Sequence, residues 1–234
     1  MEKPMQENPV LTALATRALE FVKDGNIVGL GTGRAATAFV RALGRRVQQG
    51  LRVTGVPTSA ATAVTARECG ISLVGLDDLD GIDITVDGAD EVDPHLDLIK
   101  GYGGAMVGEK IVAAASRAEI ILVGSDKLVP VLGRRGLLPV EVIPFAVGFC
   151  KRRLALLGCR PQVRTVADRP FISDSGNYIL DCGIEPIPNP RQLEDSIRAT
   201  PGVVGTGLFL GIADVVLVGE GDSVRELRRE ERAC

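Results

Sequence analysis

Asn26-Ile27-Val28-Gly29-Leu30-Gly31-Thr32-Gly33-Arg34-Ala35 runs from an apolar segment of strand length, through a glycine-rich turn, into a helix predicted over residues 35–47. A strand feeding a helix through such a turn is half of a parallel β-α-β unit, and the pattern continues on both sides. Residues 11–22 carry apolar positions at helical spacing. Downstream come strand-like 51–56, helix-like 59–69, short strands at 71–74 and 82–86, a helix over 104–116 and a strand at 119–123. Apolar strands alternating with helices predict a parallel sheet covered on both faces, an α/β class.

After Lys127 the texture changes. Residues 139–144 form a proline-bounded apolar run, followed by a helix-like stretch over 145–157 and strand-like 162–166. A turn at 173–177 leads to a strand at 178–182, a polar helix near 191–199 and a strand at 203–210. This α+β stretch predicts a small second domain over 133–207. Residues 1–132, completed by 208–234, would form the first. Residues 213–218 read as a strand returning to the main sheet, and the charged tail at 225–232 as a solvated helix.

With 234 residues, 45% of them hydrophobic, the chain has material for a substantial core. A net charge of −3 argues against a broad nucleic-acid surface, and the absence of tryptophan against base-stacking platforms. No apolar run approaches the roughly 18–20 residues of a membrane helix, and the first nine residues carry no apolar signal core. The expectation is a soluble cytoplasmic protein with no nucleic-acid or membrane partner. The five cysteines are scattered without CxxC spacing and read as buried free thiols. The single histidine, His95, follows a proline in a polar turn and is expected to face solvent.

Two loops carry the chemistry. Asp87-Gly88-Ala89-Asp90-Glu91 follows the strand at 82–86. Lys100-Gly101-Tyr102-Gly103-Gly104 then opens the helix that carries Glu109. Carboxylates beside a lysine and bare backbone amides suit proton transfer next to a carbonyl. A base removes the proton, while lysine and amides hold the charge that develops on oxygen. Several carboxylates in one cleft also repel, which raises the proton affinity of one of them.

The glycine turn at 29–34 lets backbone amides approach an anion at a helix start. One register, Gly31 to Ala36, satisfies a loose GxGxxA dinucleotide pattern. A dinucleotide site also wants an acidic residue at the end of the second strand. That strand ends in Val56-Pro57-Thr58-Ser59, so hydroxyls and amides point to phosphate or sugar instead.

The ordered set GLGTG, GVPTS, DGADEVD, LIKGYGGA, EKIV, LPVEVIPF, GNYILD, PGVVGTGLF and ADVVLVG resembles type A ribose-5-phosphate isomerase across nearly the whole chain. The resemblance implies a Rossmann-like parallel-sheet domain with a small inserted α+β (ferredoxin-like) domain, assembled as homodimers or homotetramers. It implies interconversion of ribose 5-phosphate and ribulose 5-phosphate in the pentose phosphate pathway, through an enediolate, with no metal or other cofactor. By position in the motifs, Glu109 matches the catalytic base. Asp87 and Asp90, with Gly88 and Ala89 between them, match the acidic loop used in ring opening and hydroxyl binding. Lys100, with Gly101, Tyr102 and Gly103, matches the group that steadies the enediolate. Lys127 matches a substrate-binding lysine, and Thr32, Gly33, Arg34 and Ala35 the phosphate loop.

The departures cluster on phosphate binding. The family's loop continues Gly-Ser-Thr, where this chain has Gly33-Arg34-Ala35. A phosphate-reaching lysine on the first helix is replaced by Leu11-Thr12, and an arginine before the glutamate by Gly108. Either Arg34 grips the phosphate itself through bidentate bonds, or the pocket serves another sugar in a divergent isomerase. A noncatalytic sugar-phosphate sensor is the alternative from a different class. A repressor of that kind needs a helix-turn-helix segment, for which the short N-terminal extension leaves no room.

Overall fold

The computed structural model describes residues 8–229. In chain order the elements begin with α1 (Pro9–Leu19), β1 (Ile27–Leu30), α2 (Arg34–Gln48), β2 (Thr54–Pro57), α3 (Ala60–Glu68), β3 (Ser72–Leu73) and β4 (Ile84–Gly88). Next come β5 (Glu91–Val92), β6 (Leu98–Ile99), α4 (Met106–Ala114), β7 (Glu119–Gly124), β8 (Leu137–Val142), α5 (Val147–Leu156) and β9 (Arg160–Val163). The chain then forms β10 (Thr165–Val166), β11 (Arg169–Pro170), β12 (Tyr178–Gly183), α6 (Pro190–Arg198), β13 (Val203–Thr206), β14 (Leu208–Phe209), β15 (Val215–Glu220) and β16 (Ser223–Arg228).

These elements fall into two compact units. One takes the residues up to Gly88, Ala115–Asp126 and those from Asp214 on; the other takes Ala89–Ala114 and Lys127–Ala213. The second unit therefore includes the Lys100 loop and α4, which the sequence reading places in the first domain.

The first unit is built on a seven-stranded sheet in the order β16-β15-β7-β4-β1-β2-β3. All its neighbours are parallel except β16, which runs antiparallel to β15. Its strands are nearly continuous apolar runs, as a sheet buried on both faces requires. Val28, Leu30, Val86, Ile120, Leu122 and Leu217 pack with Leu14, Phe39 and Leu43 of the helices into one core. Asn8 caps α1 by accepting the Val10 amide, with Pro9 at the first helical position. The chain order reverses between β1 and β4, and ligands of open α/β sheets bind outside the carboxyl ends of strands at such a reversal.

The second unit carries a four-stranded antiparallel sheet, β13-β8-β12-β9, with α5 and α6. Read in chain order, that is a split β-α-β arrangement of ferredoxin-like type. Leu138, Val140, Leu154, Leu180, Cys182 and Ile197 form its core. A separate three-stranded sheet, β14-β6-β5, underlies the acidic segment.

Three sequence expectations are corrected. The tail is not a helix: Ser223–Arg228 forms strand β16. Gly221 and Asp222 make a two-residue hairpin turn, with Gly221 at a φ of 59°, and this signal outranks the helical spacing of the charges. Glu226 of that strand pairs with Arg17 of α1 at 2.7 Å. Residues 230–232 of the expected helix lie outside the described residues. The expected strand at 203–210 is two strands of different sheets, broken at Gly207, where a Cβ would lie 2.3 Å from the Lys100 carbonyl oxygen. The run at 162–166 likewise breaks at Arg164, between β9 and β10. Among the described cysteines, Cys150, Cys159 and Cys182 are buried free thiols and Cys69 is half-buried; Cys234 lies outside the described residues. His95 is exposed.

Candidate active site

At the reversal point of the first unit, the turn after β1 lies against the end of β4. The Gly31 amide donates to the Val86 carbonyl at 3.0 Å. The Thr32 amide donates to Asp87 Oδ1 at 3.1 Å, and the Gly88 amide reaches the same oxygen at 2.7 Å. A Cβ on Gly31 would sit 2.2 Å from that carboxylate oxygen and 2.6 Å from the Asp87 backbone, so position 31 admits glycine alone. Gly33, at a φ of 107°, turns the chain into α2 without a side-chain cap. The first amides of α2 are therefore donors without intrahelical partners, at the positive end of the helix dipole.

Four hydroxyls converge beside that loop. Thr32 Oγ1 lies 2.8 Å from both Thr58 Oγ1 and Ser59 Oγ, and 3.1 Å from Thr62 Oγ1. Thr62 Oγ1 in turn donates to the Gly31 carbonyl at 2.9 Å. Thr58 and Ser59 close the second strand, where the sequence already shows hydroxyls in place of a carboxylate; Thr62 follows one helical turn later and is not singled out in sequence. Arg34 is exposed and Ala35 half-buried at the first turn of α2.

In the second unit, Asp90 accepts the Tyr102 amide at 3.0 Å and donates its own amide to the Ile99 carbonyl at 2.8 Å. Burial raises the Asp90 carboxyl above the usual carboxylate range. The Tyr102 amide and the charges of Lys100, Lys127 and Arg135 pull it partly back. Lys100, 2% exposed, follows β6, and its Nζ lies 3.4 Å from Oε2 of Glu109, itself 5% exposed in the first turn of α4. The Phe209 ring, fully buried, lies 5.4 Å from Lys100 Nζ and 4.8 Å from Lys110 Nζ.

The two loop glycines with left-handed backbone, Gly101 (φ 104°) and Gly104 (φ 88°), make the turn from β6 into α4. The Tyr102 hydroxyl donates to the Leu137 carbonyl at 3.3 Å, and its side chain packs on the core of the second unit. Burial pushes this phenol above its ordinary range. Tyr102 thus offers its backbone amide to Asp90 and keeps its ring for packing. Gly103 is exposed, Gly88, Ala89 and Lys127 are half-buried.

Nothing local in the sequence marks the role of Lys110. Its ammonium donates to the carbonyls of Thr206 and Leu208 at 2.8 and 2.7 Å and lies 3.4 Å from Glu194, tying α4 to β13 and β14. Burial lowers its proton affinity, with Glu194 opposing the shift. A buried carboxylate one position earlier is thereby held in register by an anchor of its own. Replacing Lys110 by Met strands two carbonyl acceptors and is expected to lower stability by about 1–3 kcal/mol. Denaturant unfolding would measure this.

Among the described residues no cluster of three or more His, Cys, Asp or Glu side chains is placed to hold a metal ion, and no helix is long and apolar enough to cross a membrane. The chemistry on offer is a buried carboxylate–ammonium pair beside glycine amides, with an anion-ready helix start in the other unit.

The family model of ribose 5-phosphate isomerase A (phosphoriboisomerase A) matches residues 54–223. The chain is 46% identical over 217 residues to ribose-5-phosphate isomerase A of Sphingopyxis alaskensis, covering 93% of this chain and 95% of that one. It is similar to a solved D-ribose-5-phosphate isomerase in complex with phospho-erythronic acid, with a TM-score of 0.91, 38% identity, and 94% and 98% of the two chains covered. The ribose 5-phosphate isomerase A structure from Methanocaldococcus jannaschii gives a TM-score of 0.89 at 40% identity, with the same coverage.

Proposed function

The chain belongs to the ribose 5-phosphate isomerase A family, and we propose that Glu109 is the base that carries its reaction. The protein is an aldose–ketose isomerase that interconverts ribose 5-phosphate and ribulose 5-phosphate. Neither a divergent sugar specificity nor a noncatalytic sensor role is favoured.

The observation that carries the assignment is the buried Lys100–Glu109 pair at 3.4 Å. Glu109 is the carboxylate placed to accept a proton, with the Lys100 ammonium beside it. It takes the proton from C2 of the open-chain aldose, and the C–H electron pair forms the C1–C2 double bond of the enediolate. Negative charge collects on O1, where Lys100 and the amides of Gly101 and Gly103 stabilise it, while the Tyr102 amide stays on Asp90. A proton passes from O2 to O1, and Glu109 returns its proton to C1, giving the ketose. No atom is gained or lost, and no redox partner or metal enters the balance.

Asp90, with its raised proton affinity, is suited to exchange a proton during ring opening. Asp87 is assigned a sugar hydroxyl, with Gly88 and Ala89 as backbone contacts. Thr32, Gly33, Arg34 and Ala35 are assigned the 5-phosphate, and Lys127 is a further substrate contact. The orphan amides of α2 and the exposed guanidinium at its first position support that assignment. They offset the hydroxyls and the lysine that the family pattern has and this chain lacks.

Purified protein with a chelator present is expected to isomerise ribose 5-phosphate and to leave ribose untouched. Equal turnover of both sugars contradicts a phosphate-binding loop. Arg34→Ala is expected to raise KM for the phosphorylated pentose by tenfold or more, about 1.4 kcal/mol, with kcat little changed. An unchanged KM removes Arg34 from the site.

A cytoplasmic location and a homodimeric or homotetrameric assembly belong to the same proposal, both implied by the family resemblance. Phe145, fully exposed, and the exposed Phe149, Ile143 and Val204 on the second unit support self-association. Sedimentation of Phe145→Glu against the unaltered protein would test it, a monomer being the expected variant.

A further inference from the structure

Arg164 stands where the run of β9 breaks, and its guanidinium is divided between two tasks. Nε and Nη2 meet the carboxylate oxygens of Asp181 at 2.9 and 2.5 Å, while Nη1 donates to the carbonyls of Gly101 and Tyr102 at 3.0 and 3.1 Å. The pair is largely withdrawn from solvent, with side chains 13% and 24% exposed. The Phe171 ring lies 5.9 Å from the guanidinium carbon and also covers Gly104, where a Cβ would come within 2.6 Å of the ring.

We infer that Arg164, braced by Asp181, is a positioning residue for the loop amides; this rests on the reading that the Lys100–Gly103 loop holds the enediolate. The peptide unit is planar and trans, so its N–H points away from its C=O. Fixing the carbonyl of Gly101 therefore aims the Tyr102 amide to the opposite side, where it meets Asp90 at 3.0 Å. Fixing the carbonyl of Tyr102 aims the Gly103 amide the same way, on a residue that is exposed.

The loop cannot set these directions alone. Gly101 and Gly104 both adopt left-handed backbone, and glycine has the widest conformational freedom of any residue. Donors that stabilise a developing oxyanion act by being held in place before the charge appears. A planar fork anchored on a carboxylate can hold two neighbouring carbonyls at once, which a lysine ammonium does less rigidly. The same clamp acts on Asp90. Its carboxylate keeps the Tyr102 N–H only while that peptide is held, with Lys100, Lys127 and Arg135 as the surrounding cations.

The test is steady-state kinetics across pH on Arg164→Met, which keeps an apolar stem against Phe171 and removes every donor. The expected result is a fall in kcat of about tenfold to a hundredfold, with KM within about threefold. The ascending limb of kcat/KM is expected to move to higher pH. Losing a hydrogen bond to the carboxylate raises the pKa of Asp90, so its ionised form appears only at higher pH. Should Arg164→Met fail to fold, Arg164→Lys decides; it keeps the charge and is expected to move both quantities in the same direction by less. A folded variant with unaltered kcat and an unshifted limb overturns the inference. If Lys100→Met is inactive while Arg164→Met is normal, positioning fails and the enediolate reading stands. If both are normal, both fail.

Discussion

Glu109→Gln is expected to lower kcat by about a thousandfold or more, in the upper part of what a general base contributes, with KM for ribose 5-phosphate little changed. Glutamine keeps the size and the carbonyl acceptor of glutamate but cannot take up a proton. At 5% exposure, position 109 offers bulk water little access as a substitute base. Lys100, 3.4 Å away, retains an acceptor in the amide oxygen, so the variant is expected to fold. Equal losses of kcat and folded fraction would instead make Glu109 structural. Stopped enzyme assays together with a thermal melt separate the two cases.

Lys100→Met is expected to lower kcat by about a hundredfold to a thousandfold, the range found when one oxyanion donor is removed. Methionine is long enough to fill the 2%-exposed space. Two effects act together in the proposed mechanism: O1 of the enediolate loses its cation, and Glu109 loses its partner at 3.4 Å. Lys100→Arg is expected to give little rescue, because the guanidinium is larger than the buried ammonium it replaces beside the Phe209 ring.

Much of the first unit is legible in the sequence because its signals are local. The turn Gly31-Thr32-Gly33 follows four strand residues and opens a helix, and an apolar strand leads directly to Asp87. Periodicity and glycine placement are enough for both. What the sequence hides depends on contacts between distant residues. Arg164 meets Gly101 and Tyr102 across 63 and 62 positions, and nothing in its neighbours Val163 and Thr165 signals that. Lys110 reaches Thr206 and Leu208 across 96 and 98 positions. The strand break at Gly207 follows from the close passage of the Lys100 backbone, which no periodicity records. In the tail two local signals conflict: the charges fall at helical spacing, but Gly221-Asp222 forms a hairpin turn, and the turn decides the structure.

The candidate site divides the same way. Glu109 and Lys100 lie nine positions apart, and the roles proposed for them follow from motif and residue type; their pairing and burial required the fold. The hydroxyls of Thr58 and Ser59 can be read at the end of a strand, but their convergence with Thr62 on Thr32 arises only when β1 and β2 lie side by side.

Proton exchange at C2 of ribose 5-phosphate tests the assignment of Glu109 most directly, because it reports removal of the proton apart from substrate binding. In deuterium oxide, followed by proton NMR, the unaltered enzyme is expected to convert aldose to ketose and to introduce solvent deuterium at the transferred position to some extent. Glu109→Gln, saturated with substrate, is expected to do neither. Exchange at C2 continuing in Glu109→Gln at the rate of the unaltered enzyme would contradict the account, since another group would then be removing the proton.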